Sequence, residues 1–195
     1  DGAYNTTIVA GSIATGTGRY SRGIFNDGAY NTTIVSGSIA TGTGNSAHGI
    51  RNDGNNNTTT VSGSIATKGW NSLGIYNYGS YNTTIVSGSI ATGTGNSAHG
   101  IQNTGDKNAT TVSGSITTKG WNSLGIYNEG SNITTTVSGS ITTTGDDGYG
   151  IYNRDNNNTT TVSGSITTTG EGGHGIFNNG DNNTTTISGT VKATG

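Results

Sequence analysis

Residues 57–77 read NTTTVSGSIATKGWNSLGIYN. Three short segments, TTTV, GSIAT and GIYN, are separated by Gly, Ser and Asn. Thr, Val, Ile, Gly and Asn are all poor helix formers. In the first two segments Val61, Gly63 and Ile65 share one parity, while Thr and Ser take the other. Alternation with period 2 turns one set inward and the other toward solvent, so each segment reads as a β-strand.

The phrase recurs along the whole 195-residue chain. Its valine falls at Val9, Val35, Val61, Val86, Val112, Val137 and Val162, with Ile187 in the eighth place, at spacings of 25 or 26. Four residues on lies a second apolar column: Ile13, Ile39, Ile65, Ile90, Ile116, Ile141, Ile166 and Val191. The isoleucine of GIxN forms a third: Ile24, Ile50, Ile75, Ile101, Ile126, Ile151 and Ile176. From each GIxN isoleucine to the next anchor the distance is always 11, whereas from the second column to the third it is 10 or 11. All length variation is therefore confined to one corner, as in TGTGNSAHG against TKGWNSLG, and the other corners keep a register that cannot slip.

A fixed period of this length predicts a β-solenoid: a right-handed parallel β-helix with one coil per repeat and about eight coils. The alternative for such a pattern is a trimeric β-prism fibre. Stacked coils roughly 4.8 Å apart place Ile on Ile in continuous ladders, giving a segment about 38 Å long. One coil buries too little to stand alone, so stability is expected to be cooperative along the stack. With no capping segment at either end, residues 1–195 read as one uncapped array and as part of a longer chain. A fourth column, Asn26, Asn52, Asn77, Asn103, Asn128, Asn153 and Asn178, predicts a structural asparagine ladder. Residues 31–81 and 82–132 match almost word for word, so the array has grown by duplicating two-coil units of 51 residues.

Composition narrows the possible functions. The chain has 36 Gly and no Pro, Cys or Met, and its net charge is −2. So weak a charge gives no reason to expect nucleic acid or an anionic membrane as partner. The absence of Cys excludes a disulfide framework and thiolate metal sites. No apolar run is long enough to insert into a membrane. Only 31 residues are Ile, Val, Leu or Phe, a level associated with disorder, but their strict periodicity argues for an ordered core.

Phrases such as SAHGIRNDG (46–54), GGHGIFNNG (172–180) and NTTTVSGSITTTG (158–170) resemble the passenger regions of bacterial autotransporter proteins. The resemblance covers the whole chain. It implies a β-helix displayed on the cell surface and serving adhesion, aggregation or biofilm formation. Such proteins also carry a membrane-anchoring β-barrel, which is not among these residues.

His48, His99 and His174 share a column with Arg22, Leu73, Leu124 and Tyr149. His48 and His99 are two coils apart, roughly 10 Å, too far for one zinc ion, so the column reads as variable surface. Asp27, Asp53, Asp106, Glu129, Asp155 and Asp181 follow GIxN at no more than one per coil, too sparse for calcium's six to eight ligands. Charged residues that occur only once, such as Glu171 and Lys192, do not converge, so no enzyme, cofactor or metal is expected.

Thr58–Thr60, Thr134–Thr136, Thr159–Thr161 and Thr184–Thr186 read as outward rows, a feature of some ice-binding solenoids, although Ile8, Ile34, Ile85 and Ala109 interrupt them. Asn5, Asn31, Asn57, Asn82, Asn108, Asn132, Asn158 and Asn183, each followed by x-Thr, are sequons that follow one edge. These asparagines share the parity of the buried valines and are expected at a turn. The x of GIxN, namely Phe25, Arg51, Tyr76, Gln102, Tyr127, Tyr152 and Phe177, forms an outward stripe suited to glycans or to a neighbouring rod. Trp70 and Trp121 in the variable corner add to that surface. The expected function is adhesion or self-association, with itself or surface glycans as partner; the alternative is a structural subunit of an extracellular filament.

Overall fold

A computed structural model describes residues 2–195. Each coil contributes up to three strands, for example Thr58–Val61, Ser64–Thr67 and Ile75–Asn77. Each strand pairs in parallel with its counterpart in the next coil, building sheet A from the TTTV segments, sheet B from the SIT segments and sheet C from IxN. Sheets A and B have eight strands each and sheet C has seven. The described residues contain no helix. One chain closes every coil by itself, so the fold is an all-β solenoid of about eight coils rather than an interdigitated trimeric prism.

Register is kept to the residue. Val61 pairs with Val35 and Val86, Ile90 with Ile65 and Ile116, and Ile126 with Ile101 and Ile151. The three apolar columns meet on the axis, and their members in the interior coils are essentially inaccessible. Ile13, Ile176 and Val191, in the outer coils, are only partly covered.

Three different corners close the coil. Between sheets A and B, one valine carbonyl accepts two N–H groups from the next coil, as when Ser87 and Gly88 both donate to Val61. Between B and C, the variable corner turns through a left-handed residue, such as Ser46 (φ 55°), Asn71 (φ 50°) or Asn122 (φ 49°). Between C and A, the left-handed residue is Tyr30, Asn56, Tyr81, Lys107, Asn132, Asn157 or Asn182. A tyrosine is held there because the backbone on both sides is fixed by bonds to neighbouring coils, such as Tyr30 N–H to the Asn55 carbonyl.

The asparagine ladder is present and has a partner that the sequence reading missed. In the central coils each Asn of GIxN donates to the Oδ1 of its twin one coil ahead, as Asn77 does to Asn103 (2.8 Å) and Asn103 to Asn128 (2.9 Å). The same amide also donates to a threonine seven residues on, as Asn103 does to Thr110 and Asn128 to Thr135. Those threonines are the middle residues of the TTT runs and of their equivalents, such as Ala109–Thr111. The expectation that Thr58–Thr60 and its equivalents point outward as a block is therefore corrected: Thr59, Thr135 and Thr160 are fully buried, and only the first and third of each run face out. Removing the Asn103 side chain would leave the Thr110 hydroxyl and the Asn128 carboxamide oxygen short of a partner. Each stranded buried group costs roughly 1–3 kcal/mol.

Candidate functional site

With the interior given over to packing, contacts with other molecules fall to the outer faces. Sheet C carries the richest one. Its outer side is built from the x of GIxN and the column two residues after GIx, with the largely buried column two residues before the GIxN isoleucine packed beside them.

At the N-terminal end of this face the Arg22 guanidinium lies 4.5 Å from the Phe25 ring centroid, and Arg51 lies 5.9 Å from the same ring. Arg51 is in turn held by Asp53 at 2.5 Å and packs over Tyr76 at 5.2 Å. In the centre, Glu129 accepts from Gln102 (3.1 Å) and Tyr127 (3.3 Å) and pairs with Arg154. Toward the C-terminal end Tyr127 stacks on Tyr152 at 5.2 Å, and Tyr152 lies 5.2 Å from Phe177. Tyr149 and His174 complete that cluster.

The stripe does face outward, with Phe25 and Phe177 at the exposed end of its range and the rest half-buried. Its rings, however, are turned toward one another. Tyr152 has Tyr127 on one side and Phe177 on the other, so its faces are occupied by neighbours one coil away. A sugar that stacks on an aromatic face finds little of that ladder free.

Trp70 and Trp121 differ. They take part in none of the ring pairs of this face, and they are 56% and 52% exposed. Their carbonyls accept from Ser46 and Ser97, which fixes both corners against the preceding coil. Two coils separate the indoles, roughly 9.6 Å along the rod. The two 51-residue copies, 31–81 and 82–132, differ at eight positions: Arg51/Gln102, Asp53/Thr104, Asn55/Asp106, Asn56/Lys107, Thr58/Ala109, Ala66/Thr117, Tyr78/Glu129 and Tyr81/Asn132. In the first copy none of these positions is buried. The exposed tyrosines 78 and 81 have been replaced in the second copy, but the exposed tryptophan has not.

The histidine column needs correction. His48 and His99 are 4% and 6% exposed, not variable surface. Each Nδ1 accepts a backbone N–H from the next coil, His48 from Leu73 (3.1 Å) and His99 from Leu124 (3.0 Å), so the proton sits on Nε2. Burial, with the nearby Arg51 and Arg22, pushes His48 down to about 4, against a weaker opposing pull from Asp53. Burial alone pushes His99 down to about 3. His174 is exposed. Among the described residues no three His, Asp or Glu side chains come close enough to share a metal ion.

These bonds also explain why the duplicated unit has two coils. The long-corner coil supplies His48 Nδ1 as an acceptor and the Ala47 N–H as a donor. The short-corner coil answers with the Leu73 N–H and the Ser72 hydroxyl (2.9 Å from Ala47 N). The same two bonds recur at His99–Leu124 and Ala98–Ser123. A long corner and the short corner after it are complementary, so copying them as a pair preserves both.

The faces of sheets A and B are plainer. Thr134, Thr159 and Thr184 form one outward file on sheet A, and Thr111, Thr136, Thr161 and Thr186 a parallel one. Toward the N-terminus the second file holds the exposed Ile8, Ile34 and Ile85.

No family model, curated protein or solved structure matches the chain.

Proposed function

We propose that this chain is a non-catalytic, cell-surface solenoid that mediates adhesion or self-association through residues repeated along its sides. The carrying observation is the pair of exposed, unstacked indoles, Trp70 and Trp121, held on rigid corners two coils apart. Spaced aromatic faces on a stiff rod suit a linear glycan whose alternate sugars present the same side, or the flank of a second rod. The likeness of its repeats to autotransporter passenger regions supports the surface location. A purely structural role in an extracellular filament predicts the same rod but no dependence on the indoles.

Beads coated with the chain would be tested for clumping and for retention on polysaccharide-coated surfaces. The double substitution Trp70→Ala, Trp121→Ala is expected to weaken retention or clumping about tenfold to thirtyfold, the range for loss of a tryptophan anchor. Circular dichroism should be unchanged, because neither indole supports the core. Equal behaviour of the two proteins would leave the filament role as the better description.

One further reading rests on its own observation. The two outward threonine files over the last four coils form a flat, regular array interrupted only at Ala109. Ice binding by that array predicts thermal hysteresis in freezing solutions, abolished by Thr136→Leu and Thr161→Leu. Freezing without a hysteresis gap removes this reading and leaves adhesion untouched.

A further inference from the structure

The chain holds eleven Asn-x-Thr sequons, because Asn56, Asn157 and Asn182 are each followed by Asn-Thr in addition to the eight along one edge, and once folded they are not equivalent. In seven of them the asparagine occupies one column at the corner between sheets C and A, and there the side chain is part of the fold. Its Oδ1 accepts the backbone N–H of the preceding coil's column residue, as Asn57 does from Asn31 and Asn108 from Asn82 (2.7 Å each). Its Nδ2 donates to the carbonyl three residues back, as Asn57 does to Gly54 (2.8 Å). Asn31, Asn57, Asn82, Asn108 and Asn158 are accordingly 0–2% exposed. Asn5 and Asn183 make the same amide bond in the two outermost coils.

The sixth coil breaks the pattern. Ile133 takes the column position there, is fully buried, and donates its N–H to Asn158 Oδ1 as the asparagines do. Having no carboxamide, it offers nothing to the Asn108 N–H. The sequon's asparagine, Asn132, is thereby displaced one residue upstream, to the left-handed turn position (φ 59°) that Tyr81 and Lys107 fill in the preceding coils and that Asn56, Asn157 and Asn182, also sequon asparagines, fill in others. Its backbone is fixed by a bond to the Asn156 carbonyl, its side chain is exposed, and among the described residues its amide bonds to nothing. Thr134, the sequon's third residue, is exposed as well.

We propose that Asn132, with Asn157 and Asn182 at the same exposed turn position, is an acceptor site for N-linked glycosylation of the folded array, and that the five buried sequons are closed to it. Ile133 points inward, so an enzyme need engage only Asn132 and Thr134, the two residues that define the motif. The reaction joins Asn132 Nδ2 to the anomeric carbon of a sugar carried on phosphate. The sugar–phosphate bond breaks, phosphate leaves with its bonding electrons, and the amide loses one proton to the enzyme's base. The glycan would stand out from the corner between sheets C and A. This proposal does not depend on the adhesion reading.

The test uses folded chain, a soluble N-glycosyltransferase and nucleotide-activated glucose, with peptide mass mapping of each sequon. Heat-unfolded chain, in which all eleven sequons are open, runs alongside to establish that the enzyme accepts them. The expected result is hexose on Asn132 at an occupancy at least about tenfold above that of any buried sequon, since those require local opening. Asn132→Gln should abolish modification in the peptide covering 126–140, and Thr134→Ala should do the same while leaving Asn132 in place. An unmodified Asn132 in folded chain, when unfolded chain is modified, overturns the proposal. So does comparable occupancy at Asn57, Asn82 or Asn108 in the folded protein.

Discussion

Replacing Gly114 by alanine is expected to open the array at its middle. Gly114 sits at the corner between sheets A and B, where a side chain would run into the backbone of the preceding coil. A Cβ there would fall inside the van der Waals shell of the Gly88 carbonyl oxygen, 2.5 Å from the Ser87 carbonyl oxygen and 2.6 Å from its carbon. All three atoms are backbone, so no rotamer change relieves the overlap. The coils must part, and the bonds holding this corner go with them: Ser113 and Gly114 to the Val86 carbonyl, and Ser115 to Gly88. Overpacking ordinarily costs roughly 1–3 kcal/mol. Adding the loss of about three hydrogen bonds at about 1 kcal/mol each puts the cost near 5 kcal/mol.

In a linear stack such a break does not stay local. Each coil is stabilised by its neighbours, so a ruptured junction divides the array into two shorter blocks, each with a new uncovered end. Thermal unfolding followed by circular dichroism should show a midpoint lowered by roughly 10–20 °C or a transition split in two. Ser115→Ala, one residue away and pointing outward, should shift stability by no more than about 0.5 kcal/mol. If Gly114→Ala melted like the parent chain, the corner would have to be far looser than its hydrogen bonds imply.

What the sequence revealed and what it withheld divide along physical lines. The three apolar columns, the parallel register and the single variable corner were legible because a solenoid repeats its constraint in every coil. Ile39, Ile65 and Ile90 can stack only if the residues between them keep count. The asparagine ladder was legible for the same reason.

The buried threonines were harder to see, because in TTT all three residues look alike. Counting back two from Val61 would have turned Thr59 inward. The buried histidines carried a fainter signal: they share their column with Leu73 and Leu124, and leucine is rarely left in water by choice. Asn132 was misplaced because the sequon motif is read relative to itself, whereas burial is read relative to the coil. Ile133 in the asparagine column is what separates the two frames.

The mutual stacking of Tyr127, Tyr152 and Phe177 could not have been read from sequence at all. Outward parity places a ring on a face, but side-chain torsions decide whether its own face meets solvent or the next ring. That distinction moves the preferred contact from the GIxN stripe to the tryptophans.

The buried histidines also give the array a dependence on acid. An unfolded histidine titrates near 6.5, whereas His48 is held down to about 4 and His99 to about 3. Below pH 6.5 the unfolded chain therefore binds protons that the folded chain refuses. Stability then falls as pH falls, and for these two groups the loss levels off only below their folded values. Each depressed histidine costs about 1.4 kcal/mol per pH unit in that window. Between pH 7.5 and 4.5 the pair together removes on the order of 5 kcal/mol.

Protonation also takes away the Nδ1 lone pair that holds the Leu73 or Leu124 N–H, so the long and short corners of each two-coil unit lose their stitch together. Urea unfolding at the two pH values should show this loss in the parent chain. The double substitution His48→Gln, His99→Gln keeps a side-chain acceptor but removes the titration, and should flatten the curve between pH 6.5 and 4.5 while lowering stability modestly at pH 7.5. Unchanged acid sensitivity in that variant would place the titrating groups elsewhere. A parent chain equally stable at both pH values would mean that its corners open readily enough to hydrate both imidazoles.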